Sequence, residues 1–180
     1  MALLGRLDGT ADVSWMGSVR NMSAHSDLSL RAAAISGTNR SSSIGVPVDG
    51  SIHVTYDGPR DIITFRQTTL HIPSTTLAVE GEVSNHSNLQ IQASADDLHQ
   101  LATLASAFQS GQSVAMAISG AAALKAVMQG SMQAPRVAGQ LTAQNLQVQG
   151  SQWSSAKIMV QASPSQIALQ NGSLRRPGMK

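Results

Sequence analysis

The 180-residue chain has no cysteine, 3% aromatic residues and 12% charged residues. Without cysteine, disulfides and thiolate metal sites are excluded. Two Trp, one Tyr and two Phe are too few to fill a globular centre in the usual way, where large rings supply much of the packing. Scarce charge leaves Ser, Thr, Gln and Asn to make the surface polar, a balance that fits neither a charge-driven disordered chain nor a typical cytosolic enzyme. No apolar run reaches the roughly 18 residues of a membrane helix, and the opening MALLGRLDGT turns polar too early for a secretory signal. A clustered basic footprint is also missing. Arg20, Arg31, Arg40, Arg60, Arg66 and Arg136 are scattered, only Arg175 and Arg176 adjoin, and stacking rings are few, so no nucleic-acid partner is expected.

What the chain does have is 42% hydrophobic residues set out with a period of two. In Gly130 to Gly150, Val137, Gly139, Leu141 and Ala143 alternate with Arg136, Ala138, Gln140, Thr142 and Gln144, the pattern of a strand with one dry face and one wet face. Asn145 shifts the phase, so that Leu146 and Val148 carry the apolar side on even positions, which requires a bulge or a turn. Leu7 to Trp15 alternate in the same way, and after Gly17-Ser18 the pattern resumes with Met22, Ala24, Leu28 and Leu30. Trp15 to Arg20 (WMGSVR) and Met128 to Gln133 (MQGSMQ) form a weak internal repeat, which favours an elongated or stacked architecture.

Further strands are expected at Val46 to Tyr56, at Ile63 to Ile72 with a bulge near Gln67, at Leu77 to Val83, at Leu89 to Ala93, at Val114 to Ile118, across the Ala-rich stretch 120–132, at Ala156 to Ala162 and at Ile167 to Leu169. Ala33 to Gly45 reads as a polar loop, Asp57-Gly58-Pro59 and Pro164-Ser165 as turns, Asn85 to Asn88 as a hairpin turn, and Pro73 as a strand end. The period changes once. Leu98, Leu101, Leu104, Ala105 and Phe108 recur at helical spacing, so residues 95–109 are expected to form one short amphipathic helix capped by Ser94, with Asp96 and Asp97 in its first turn.

The residues from Gly130 to Gly150, and Leu70 to Val83 followed by Leu89 to Leu104, resemble the recurring unit of the TamB and AsmA-like family of Gram-negative envelopes: a strand, a proline turn, then a strand with glycine near its end. The resemblance spans about Leu3 to Leu174 and rests on apolar alternation, Gly and Pro. It implies an all-β fold, an elongated, curled antiparallel sheet forming an open groove (a β-taco). It also implies that residues 1–180 are one β-groove segment of a larger envelope protein, with two weak sub-repeats at about 3–93 and 112–174 joined by the helix at 95–109. The family function would be phospholipid transport between inner and outer membrane, with acyl chains as partners and a periplasmic location. The inner-membrane anchor and export signal would lie outside this chain. The family also allows a second role, in outer-membrane β-barrel or autotransporter assembly beside a TamA-like barrel partner.

No catalytic site is expected. Ser154-Ser-Ala-Lys157 matches S-x-x-K, but that chemistry needs the serine at a helix start, whereas here it falls in a strand. His25, His53, His71, His86 and His99 lack ligand spacing, Asp96-Asp97 is explained by helix capping, and no metal or cofactor is expected. Four N-x-S triplets, at Asn21, Asn39, Asn85 and Asn171, are chance products of a Ser-rich chain.

Roughly ten or eleven strands, each with an aliphatic side and only one helix to cover them, leave a surplus of apolar surface. From the residues alone the sheet either closes as a barrel or sandwich, including a rigid adhesin-like scaffold, or stays open. Closure is favoured because large exposed apolar patches are uncommon. The resemblance implies the open form, with Val13, Trp15, Leu28, Leu30, Val54, Phe65, Val79, Leu89, Ile91, Leu141, Val148, Ile158 and Val160 lining the trough.

Overall fold

The computed structural model describes residues 2–35, 45–100 and 117–178. Ten strands follow in order: β1 (Ala2–Trp15), β2 (Met22–Ile35), β3 (Gly45–Asp57), β4 (Ile62–Ile72), β5 (Thr75–Val83), β6 (Ser87–Ala95), β7 (Ile118–Ser131), β8 (Ala134–Val148), β9 (Ser151–Ser163) and β10 (Gln166–Arg175). Every strand pairs antiparallel with the next, giving one meander in which β1 and β10 are not joined. The fold is therefore all-β and open, as the resemblance implies, and the closed barrel does not form. At about 4.8 Å per strand the sheet is roughly 43 Å wide along its contour.

Strand formation follows the alternation residue by residue. Two phase changes expected from sequence occur where the pattern slips. In β4 the register against both neighbours shifts around Gln67, which adopts φ 44°, and in β8 it shifts against β7 at Asn145, with φ 50°. One extra residue in the left-handed region absorbs the slip, so the aliphatic residues on either side stay on one face. A third bulge, not expected, sits at Asn171 (φ 51°), and β10 continues beyond it to Arg175 rather than ending there.

The turns use the residues that their geometry demands. Gln149 and Gly150 join β8 to β9 with φ 47° and 83°, the doubly left-handed turn that matches the twist of a hairpin. Pro73-Ser74 joins β4 to β5, with proline fixing the first φ near −65° and Ser74 at 57°. Pro47 and Pro135 lie within strands without breaking the ladder, because the β3–β4 pairing starts only at Asp49 and the β8–β9 pairing only at Val137.

Several boundaries differ from the expectation. β1 begins at Ala2, ahead of Leu7, and Ala33 to Ile35 belong to β2 rather than to the polar loop, whose residues 36–44 lie outside the described ones. Asn88 is paired within β6, so the hairpin loop is Ser84 to His86. Ile118 opens β7 instead of ending a separate strand, and Val114 and Met116 lie outside the described residues. Ser94 does not cap a helix. Ser94 and Ala95 end β6, held between Thr76 and Thr75 on one side and Ala123 and Ala122 on the other. The cap is Asp97, whose carboxylate accepts the amides of His99 at 2.9 Å and Gln100 at 3.4 Å. Residues 98–100 are helical, and the rest of the expected 95–109 helix lies outside the described residues.

Candidate functional site

Directly paired residues of an antiparallel sheet project to the same side, and successive residues to opposite sides. Tracing the pairings from β1 to β10 puts all thirteen expected lining residues on a single face. One row shows how the pairing does it: Leu7, Leu30, Gly50, Leu70, Leu77, Ala93, Leu124, Leu141 and Ile158 stand side by side across nine strands. In a second row, Val79, Ile91, Ala126, Gly139, Val160 and Leu169 run from β5 to β10. Val54 meets Phe65, and Val148 meets Ile118.

Every charged residue of the described strands falls on the other face, together with His25, His53 and His71. Apart from Gly, the non-aliphatic residues of the apolar face are small hydroxyls and the rings of Trp15, Tyr56, Phe65 and Trp153. Thr68 and Ser87 are buried with their hydroxyls satisfied locally, Thr68 by the backbone of His53 and Arg66 and Ser87 by the carbonyl of Ser84. Leu70, Leu77 and Val137, which the alternation reads as apolar strand positions, also belong to this face although the expected lining omits them, and sequence reasoning missed Leu124 and Met128. The period-two signal could have found them, but the Ala-rich composition of 120–132 blurred it there.

Among the described residues no second layer packs against this face. At its centre Val83, Leu89, Ala126, Ala143 and Ala156 are buried, with Leu89 at 8% exposure. No large side chain is fully buried. Toward the two outer strands coverage disappears, and Trp15 is 66% and Leu169 65% exposed. Val13, also in β1, is half exposed, and the other expected lining residues lie between these limits.

Glycines on this face let adjacent strands approach. A Cβ on Gly5 would lie 2.3 Å from the Ala32 Cα, one on Gly50 2.2 Å from the Thr69 carbonyl, and one on Gly139 2.6 Å from both the Ala126 Cβ and the Lys125 carbonyl.

A hollow of about 610 Å³ lies mainly on the polar side of β7 to β10. Ala138 and Ala168 floor it, and the longer Gln129, Arg136, Gln161 and Gln170 stand around them. Its depth comes from side-chain length, and its lining mixes aliphatic Val127, Val137 and Ala162 with the amide and guanidinium groups.

The polar face holds one tight cluster. The Asp27 carboxylate bonds His53 Nδ1 at 2.6 Å through one oxygen and His25 Nε2 at 3.0 Å through the other, while His25 Nδ1 lies 3.2 Å from the Thr55 hydroxyl. The hydrogen bond from His53, with that from His25 and the attraction of both rings, holds the Asp27 carboxyl below the usual carboxylate range against some desolvation. Among the described residues no group of three or more His, Asp or Glu is arranged to hold a metal ion. Ser154 and Lys157 both lie in β9, and the Ser154 hydroxyl donates to the Arg175 carbonyl at 3.2 Å. No helix among the described residues is long and apolar enough to cross a membrane. No family model, no curated protein and no solved structure matches the chain.

Proposed function

We propose that this sheet shields lipid acyl chains, as one segment of a TamB or AsmA-like conduit that carries phospholipid between the membranes of a Gram-negative envelope. The observation supporting the reading is the apolar face itself, nine strands wide in a single row, with no charged strand residue on it, Arg176 beyond β10 stacking on Trp153 at one margin, and with no covering layer among the described residues. A soluble chain that leaves such a face in water carries a penalty of about 25 cal/mol for each Å², and acyl chains remove it. In return each methylene withdrawn from water gains about 0.8 kcal/mol, which offsets departure from a bilayer. Leu, Ile, Val and Met side chains make no demand for polar partners and adapt to a flexible guest. The headgroup stays at the open seam. The process is passive, with the residues shielding the cargo and the direction set by the membranes at either end.

The test uses neighbouring residues with opposite orientation. A photoreactive amino acid at Ile91, on the apolar face, is expected to form phospholipid adducts in membrane-containing preparations. The same group at Gln92, one residue on, is expected to form none. Absence of adducts at Ile91, or equal yields at the two positions, would overturn the reading.

The two free sheet edges favour a second role, in outer-membrane β-barrel or autotransporter assembly, since an extended client strand can add to an open edge. Under that reading, crosslinks would form from edge strands to protein rather than from the centre of the face to lipid.

A further inference from the structure

Charge along this chain is divided. All ten acidic residues precede Leu98, in company with six of the twelve basic ones, and the other six basic residues follow with no acid among them. In the sheet, β1 to β6 are therefore net acidic while β7 to β10 carry cations alone, and the two unpaired edges lie at opposite ends of that gradient. They are also where the aliphatic face is most open, with Ile167 74%, Leu169 65% and Trp15 66% exposed.

We propose that, for residues 1–180 as a separate chain, a second copy pairs its β1 edge with the β10 edge of the first, extending the sheet head to tail across the same two edges from which flanking segments of a longer parent would continue it. The strand number permits it. With ten strands in a meander, β10 runs opposite to β1, so an unflipped second copy meets it antiparallel and keeps its apolar face on the same side. Aligning the hairpin ends places Ile167 opposite Trp15 and Leu169 opposite Val13. Past the bulge at Asn171, Arg175 falls opposite Asp8, whose side-chain partner within its own copy is the exposed Arg6. The bulge is no obstacle, because the Gln67 bulge of β4 is paired on both sides in this same sheet. Like edges are disfavoured, since two β10 strands would bring together the two cationic halves. The contact is heterologous and does not close by symmetry, so it continues into longer assemblies.

Native cysteine is absent, which makes the test clean. Val13→Cys and Leu169→Cys are prepared as separate variants of delipidated full chain, mixed in equal amounts and oxidised. Leu169 is 65% and Val13 49% exposed, both on edge strands, so neither substitution threatens the fold. An intermolecular disulfide is expected in the mixture and not in either variant alone. No crosslink in the mixture at hundreds of micromolar, or equal linking of one variant with itself, overturns the proposal, as would a strictly monomeric chain in sedimentation. Arg175→Glu is expected to weaken association about fivefold, the effect of one cross-strand charge pair of up to about 1 kcal/mol, and Asp8→Arg added to it to restore association. Lipid capture is read separately at Ile91, so each proposal fails on its own measurement.

Discussion

Replacing Leu141 by Glu puts a carboxylate in the middle of the apolar face. Leu141 is half-buried and stands between Leu124 and Ile158 on the adjoining strands. Half of the burial of a leucine side chain is about 1 kcal/mol, and each lost cross-strand pair adds about 0.2–1 kcal/mol. The new carboxylate rises from a face with no described layer above it and stays hydrated, so the large cost of an unpaired buried charge is not incurred. The expected loss is about 1.5–3 kcal/mol, which a domain of ordinary stability survives. Urea unfolding followed by circular dichroism reads the midpoint shift, and mass spectrometry of organic extracts reads bound phospholipid. Expected is a folded, destabilised protein that has lost most of its lipid. A variant unfolded in the absence of urea would mean the face is sealed inside a core. A folded variant with undiminished lipid would mean that acyl chains lie elsewhere.

The contrast between centre and edge gives a second expectation: Leu89→Ala, at 8% exposure, costs about 2–4 kcal/mol in urea unfolding, while Leu7→Ala, at 57% on the edge strand, costs less than about 1 kcal/mol. Gly139→Val drives a side chain against the Ala126 Cβ and the Lys125 carbonyl, backbone of a strand paired on both sides that cannot give way. It is expected to cost about 1–3 kcal/mol, read as a lowered melting midpoint, and an unchanged midpoint would show that β7 and β8 are not so closely apposed. Asp27, with its pKa lowered chiefly by the His53 hydrogen bond, adds stability that is present above the ordinary carboxylate value of 3.8 and fades as pH falls through the lower folded value. The stability difference between the native chain and Asp27→Asn, from urea unfolding, should therefore hold from neutral pH down past 4 and shrink in stronger acid. A difference that vanished already at pH 5 would refute the assignment.

Much of this arrangement was legible in the sequence, because in a sheet the side chain's direction is fixed by parity. Once Val13, Leu28, Val54 and Leu141 are known to be in strands, the apolar side of each follows from its neighbours, and Gln67 and Asn145 declare themselves as the positions where parity fails. The Asn171 bulge was not legible, since Asn-Gly commonly ends a strand and only pairing with β9 shows the chain continuing. The cap was misassigned for a similar reason. Ser94 and Asp97 are both good caps by type, and what decides between them is the tertiary pairing of Ala95 with Thr75 and Ala122, which holds the chain extended for one more residue. Parity also says nothing about whether two faces meet or one face stays open. That depends on whether the last strand returns to the first.

A single sheet with one face uncovered among the described residues has to be held there by its ladder and its lateral contacts, and the distribution of burial shows how. Leu89 lies between Gly81 and Met128 on strands paired on both sides and Val83 opposite Ile63, and both are buried, while Leu7, Val13, Ile167 and Leu169 lack a neighbour on one side. Stability is therefore highest in the middle strands and falls toward β1 and β10. Hydrogen exchange should follow that gradient, with amides of β5 to β8 most protected and the edge strands opening first. Protection in β1 and β10 that rises with protein concentration would be the mark of edge pairing between copies, whereas protection that rises across the whole face with added phospholipid, at fixed protein concentration, would be the mark of a guest lying on it. The two responses differ in which strands they reach and in what is titrated, so one protein and one measurement can separate an extended sheet from a loaded one.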